Sequence, residues 1–223
     1  MAQFYGVWID SIRALTATPD DAATHLDRRL RLTTAVGRAL SHTDPALDRL
    51  VYGVWLERHL QPVYIGQTLE GRRRLWDLPI GESHHLANSF PPEIWSRVVV
   101  VYWDVLLQQC PHLTERIISM LLSDGISDKS YAAIGLGLEF LLQRQFQPLF
   151  NRRKKRRDGS WRVVDWESSE SLGALAAQHL GEFFPQVAHV WGTLAALPPG
   201  PDGVASLPGG RVVFPGSVLR SSL

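Results

Sequence analysis

Three hydrophobic periods divide the chain. After the start signal Thr18-Pro19-Asp20-Asp21, the apolar residues Ala22, Leu26, Leu30, Leu32, Val36 and Leu40 recur at near-helical spacing, and Asp27, Arg28, Arg29 and Arg31 fill the other face. This pattern predicts an amino-terminal helical extension over residues 1–48 that packs on the main domain. From Leu50 the composition turns to β-formers. Leu50-Val51-Tyr52-Gly53-Val54-Trp55-Leu56 and, beyond a polar connection through Pro62, Val63-Tyr64-Ile65-Gly66 predict two short strands joined as a hairpin. Thr68 suits the N-cap of a short helix over Leu69 to Leu75, a stretch carrying three arginines. Residues 79–93, rich in Pro, Gly, Ser, His and Asn, predict a long loop. Val98-Val99-Val100-Val101-Tyr102-Trp103 is apolar on both faces, which predicts a third strand buried at the centre of the sheet.

Helices are expected over Leu113 to Ser123 and Ala132 to Phe146, the second stopped by Pro148. Trp161 to Val164 reads as a short strand, and Ser168 to Phe184 and Gln186 to Leu197 read as helices. The Pro/Gly-rich tail from Pro198 is expected to be mobile, with Arg211 to Phe214 available as an edge strand. The fold class that follows is α+β: a small three-stranded, mainly antiparallel sheet flanked by helices, with helical N- and C-terminal extensions. Four segments are expected: the extension 1–48, a central module 49–151, a basic segment with C-terminal helices 152–197, and the tail 198–223.

The composition, 45% hydrophobic and 20% charged, is that of an ordinary globular chain. No apolar run approaches the roughly 20 residues that cross a bilayer. The amino terminus lacks the basic and apolar regions of a secretion signal, so a cytoplasmic location is expected. With Cys110 alone, neither an intrachain disulfide nor a cysteine-based zinc site is expected. The net charge of +1 conceals an uneven distribution. Arg152, Arg153, Lys154, Lys155, Arg156 and Arg157 form one unbroken basic run, whereas residues 165–183 carry acids and no Lys or Arg.

Taken singly, the candidates for chemistry are weak: a strand tyrosine usually packs, an arginine triplet is usually solvated, and a lone helical glutamate usually faces water. Their order is more specific. Tyr64-Ile65-Gly66 is followed ten residues after its tyrosine by Arg74, and much later by Glu139 within a helix that is followed by Pro148-Leu149-Phe150-Asn151. This series resembles the GIY-YIG nuclease family across about Leu50 to Asn151.

The first half of the family name admits two alignments. One places Trp55 where the family has its first tyrosine, and an indole cannot accept a proton. The other, which we favour, aligns Leu50 to Trp55 so that Tyr52 supplies the phenol and only the leading glycine is missing. The resemblance then implies a metal-dependent DNA endonuclease, with Tyr52, Tyr64, Arg74, Glu139 and Asn151 as its site and Glu139 holding Mg²⁺ or Mn²⁺. In that scheme Arg74 offers a permanently charged fork to phosphate, and Tyr52 acts as a base only if nearby cations stabilise its phenolate. Gln67 and Leu78 depart from the lysine and histidine that several relatives carry, which weakens the proton-relay part of the analogy. His84-His85 is a candidate substitute. Arg72, Arg73 and the run Arg152 to Arg157 are the expected DNA contacts. DNA is the expected partner, alone or within a homodimer or larger nuclease complex. The alternative is a catalytically inactive module of the same fold that binds DNA or protein.

Overall fold

A computed structural model describes residues 33–41, 48–80, 86–126, 130–155, 158 and 160–221. The sheet begins with β1 (Leu50–Leu56) and β2 (Tyr64–Thr68), an antiparallel hairpin as expected. On the other side of β1 lies β3 (Trp95–Val101). Two further strands, β6 (Val204–Leu207) and β7 (Gly210–Val213), complete a five-stranded antiparallel sheet in the order β2-β1-β3-β7-β6. Between them in sequence, β4 (Arg153–Lys155) and β5 (Trp161–Val163) form a separate two-stranded ribbon.

The expected three-stranded sheet is therefore a five-stranded one. The tail expected to be mobile supplies two of its strands, and the boundary at 198 does not separate the tail from the sheet. Val212 and Val213 pair with Val99 and Val98, and neither tail valine is exposed, so apolar burial repays the closure of a long loop. Residues 211–214 were expected at an edge, yet β7 lies inside the sheet. β3 takes the central position that its two-sided hydrophobicity implies.

Helices cover both faces. Side chains alternate along β1, so Leu50, Tyr52 and Val54 enter one cluster and Val51 and Trp55 the other. The first cluster is closed by Val36 and Leu40 from α1 (residues 33–41), by Leu75 of α2 (Gly71–Asp77), and by Val218 of α9 (Pro215–Ser221). Between α2 and β3 lie α3 (Leu86–Ser89) and a 3-10 turn (Pro92–Ile94), in the region expected as loop. β3 runs into α4 (Trp103–Gln108), so Trp103 starts a helix instead of ending the strand. The second cluster is closed by α5 (Pro111–Ser123), α6 (Ser130–Phe146) and α8 (Phe184–Ala196). The helix expected over 168–184 is only α7 (Leu172–Ala177), which starts at Ser171, whose hydroxyl caps the Ala174 N–H. The expected helix over residues 22–32 and the pair His84-His85 lie outside the described residues. Among the described residues, no helix is long and apolar enough to cross a membrane.

Candidate active site

β2 is an outer strand of the sheet, and the candidate residues gather along it. Tyr52 of β1 stands opposite Gly66 of β2, and Val54 opposite Tyr64. Tyr64 and Gly66 are two apart, so both tyrosine side chains rise from the face on which Gly66 has none. Their ring centroids are 5.9 Å apart. A Cβ on Gly66 would stand 2.8 Å from the Tyr64 hydroxyl oxygen and 2.9 Å from that of Tyr52. The glycine of Tyr-Ile-Gly is thus a steric requirement of the tyrosine pair.

Arg74 reaches the pair from the last turn of α2, where its Nε donates to the Tyr52 hydroxyl oxygen at 3.1 Å. Buried Leu75 presses α2 onto the tyrosine face. Thr68 does not cap α2 as expected: its hydroxyl accepts from Glu70 N–H, one residue before the helix. The helix start is instead held by Asp48, whose carbonyl accepts from Gly71 N–H at 2.8 Å.

Glu139 arrives from the opposite face. Leu138 and Leu142 of α6 are fully buried in the second cluster beside Ile65, which leaves Glu139 half-buried next to β2. Gln143, one turn on, donates from Nε2 to Glu139 Oε1 at 2.6 Å and to the Ile65 carbonyl at 3.2 Å. Asn151 completes the edge. Its Oδ1 accepts from Ile65 N–H at 2.8 Å and its Nδ2 donates to the Ile65 carbonyl at 2.9 Å. The amide therefore satisfies both backbone groups that an outer strand would otherwise leave open.

The electrostatics bear on which proton can move. Burial pushes the Tyr52 hydroxyl well above the usual phenol range, opposed by the charge and hydrogen bond of Arg74 and by a hydrogen bond from Tyr64. Tyr64 is also pushed up, first by burial and then by the neighbouring Tyr52 and Glu139. Glu139 acts on both phenols, which places its carboxylate within electrostatic reach of the pair. Burial works against the charge of Arg74, but its interactions with Tyr52 and Tyr64 outweigh that and hold the guanidinium protonated. In this arrangement both tyrosines are neutral, and Tyr52 oxygen accepts from two donors.

Glu139 and Gln143 line a cavity of about 740 Å³ whose far wall includes Arg162, Val163 and Trp166. Arg74 lines a smaller one of about 290 Å³ with Gln67, Arg73 and Asp77. Among the described residues, no three His, Cys, Asp or Glu side chains gather as ligands for a metal. A cation here would rest on Glu139 with oxygens from water and phosphate, a donor set that suits Mg²⁺ or Mn²⁺ better than zinc.

Tyr52, Tyr64, Arg74, Glu139 and Asn151 thus share one edge of the sheet. Trp55 does not: it lies on the far face, 5.5 Å between ring centroids from Trp191. Arg72 and Arg73 stand exposed on α2, with Arg73 paired to Glu70 at 3.1 Å. Arg152 is exposed, residues 153–155 form β4, and residues 156 and 157 lie outside the described residues. Sequence reasoning missed Gln143 and Asp48. The spacing of Gln143, four residues after Glu139 on one helix, was a usable signal. Comparison of the chain with family models, with curated proteins and with solved structures gives no match.

Proposed function

We propose that this chain is a divalent-metal-dependent DNA endonuclease that hydrolyses phosphodiester bonds at the β2 edge, in the manner of the GIY-YIG nucleases its motifs resemble. The observation that carries the reading is the meeting of two phenols, a guanidinium and a carboxylate, drawn from four elements, at one outer strand. A structural ion pair would need only two of these groups.

The roles follow from the hydrogen bonds. Arg74 gives its charge to the phosphate oxygens, where negative charge grows during in-line attack. Tyr52 oxygen already accepts from Arg74 and Tyr64, so it is the phenol best supported against negative charge: having lost its proton to solvent, it takes one from the attacking water, and the leaving 3′ oxygen is protonated from solvent. Tyr64 is the donor that steadies it. Bound at Glu139, Mg²⁺ or Mn²⁺ supplies Lewis-acid stabilisation of the leaving 3′ oxygen. Gln143 fixes the carboxylate. Asn151 is a positioning residue that keeps Ile65, and with it Tyr64 and Gly66, in place. DNA contact is supported by the β4–β5 ribbon, which carries half of the basic run and whose Arg162 and Val163 line the cavity of Glu139. A two-stranded ribbon has the width of the DNA major groove, and its cations make binding salt-sensitive.

One observation favours a second reading. Tyr52 has no exposed surface, as in a module that binds DNA without turnover. Incubating the protein with plasmid DNA in Mg²⁺ or EDTA separates the two. We expect EDTA-sensitive nicking or linearisation, reduced about 10²–10³-fold or more in Glu139→Gln, the scale of losing one group that stabilises transition-state charge. Binding without cleavage by the parent protein would establish the second reading instead.

A further inference from the structure

A cavity of about 1550 Å³, larger than those lined by Glu139 and by Arg74, lies beside α2 and does not include Glu139 in its lining. It shares Glu70 and Arg73 with the small cavity of Arg74, so the two form one continuous surface leading out of the candidate site. Its lining combines four arginines (Arg38, Arg72, Arg73 and Arg211), three acids and Trp76.

The acids are already engaged. Glu70 pairs with Arg73, Asp48 holds the start of α2 through its carbonyl and carboxylate, and Asp202 Oδ1 accepts from Val204 N–H at 3.1 Å. Arg211 is buried and donates to the Leu40 carbonyl, so it belongs to the wall. No described acid pairs with Arg38 or Arg72, which leaves these two charges for an incoming anion.

Trp76 is the unusual member. It is 36% exposed, although Trp55, Trp95, Trp103, Trp166 and Trp191 are all buried. Its six-membered ring rests against Gly37 of α1, where a Cβ would stand 3.4 Å from the indole Cε3. The glycine thus backs the ring with helix backbone and leaves the rest of the indole to the cavity. A flat, supported aromatic surface beside two uncommitted cations has the composition of a nucleobase platform.

We propose that this cavity takes one unpaired nucleotide of the DNA, with its base stacked on Trp76 and its phosphate held by Arg38 and Arg72, so that the strand runs from there across α2 to Arg74. The inference rests on the nuclease reading for the direction of that path. It makes the preferred substrate DNA with a single-stranded or extruded base next to the cleaved bond, which a supercoiled plasmid offers where its duplex is transiently unwound. A double helix has no free base face to offer, so the platform discriminates against fully paired DNA.

The test measures binding, so that it stands apart from cleavage. Full-length Glu139→Gln protein, with and without Trp76→Ala, is titrated against a fluorescein-labelled single-stranded dT oligonucleotide and against a duplex of equal length, in Mg²⁺-free buffer. Trp76→Ala should weaken the single strand by about tenfold, the size of one lost stacking interaction, and change the duplex little. Trp76→Phe should restore most of the loss, and Arg72→Ala should lower the salt slope by about one. Trp76→Ala binding the single strand as tightly as its parent overturns the proposal, as does equal weakening toward both DNAs or a Phe variant as poor as Ala. If the platform behaves as expected while the parent protein never cuts DNA, the nuclease reading falls and the nucleotide site stands.

Discussion

Tyr52 and Glu139 belong to one candidate site but live in different surroundings. The phenol is sealed against one face of the sheet, held by Arg74, Tyr64 and the space above Gly66. The carboxylate is half-buried on the wall of a cavity on the other face of the sheet, where Gln143 of the same helix donates to it. The first half is set by strand pairing, where register admits no small adjustment. The second depends on how α6 lies along β2, where Gln143 donates to the Ile65 carbonyl and Gly135 lies against the Gln67 side chain. The site is therefore fixed by strand register where the proton is held and by helix packing where a cation would enter.

Three tests, using four substitutions, probe this contrast in decreasing order of expected effect. Tyr52→Phe removes the acceptor shared by Arg74 and Tyr64. Cleavage should fall about 10²–10³-fold while DNA affinity in a gel-shift assay stays within a few-fold of the parent. Cleavage at the parental rate would remove Tyr52 from the mechanism. Next, Gly66→Ala and Gly53→Ala form a matched pair, because a Cβ at Gly53 would come within 2.6 Å of Trp191 on the opposite face. Both should lose about 1–3 kcal/mol in denaturant unfolding through overpacking, yet only Gly66→Ala should also lose cleavage under conditions where the protein is folded. Equal activity in the two variants would mean that the tyrosine geometry does not matter. Last, Asn151→Ala leaves the Ile65 carbonyl with Gln143 and strips the Ile65 N–H of its acceptor. A stability loss of about 1 kcal/mol is expected, with faster amide hydrogen exchange at Ile65, and unchanged exchange there would show that the edge is held by other contacts.

The sequence displayed the tyrosine half more clearly than the rest. Tyr52, Tyr64 and Gly66 lie within fifteen residues on a hairpin, and the three-residue offset from Tyr52 to Trp55 put the indole on the far face, as strand alternation requires. The helices around Leu113 to Ser123 and Ala132 to Phe146 were legible from apolar periodicity and Pro148. What could not be read was pairing at long range. Nothing local in Gly210–Val213 says that it meets Val98–Val101, and the turn at Pro208-Gly209, where Gly209 adopts φ +83°, is a hairpin signal that the reading of a mobile tail passed over. Asn151 was found by its place in a pattern, but its bidentate hold on Ile65 needed coordinates. Trp76 follows three arginines in sequence with nothing local to mark it, and its packing depends on Gly37 of α1, which comes from a distant part of the chain.

The position of β7 has a consequence for how the molecule tolerates truncation. Were residues 204–213 cut away, β3 would become an outer strand and present Val98, Val99, Val100 and Val101 with open N–H and C=O groups along one side. Four consecutive valines with unpaired backbone are a template for strand addition by another molecule. The tail thus acts as a permanent guard on this run of four valines, although it lies far from the edge where the candidate chemistry gathers.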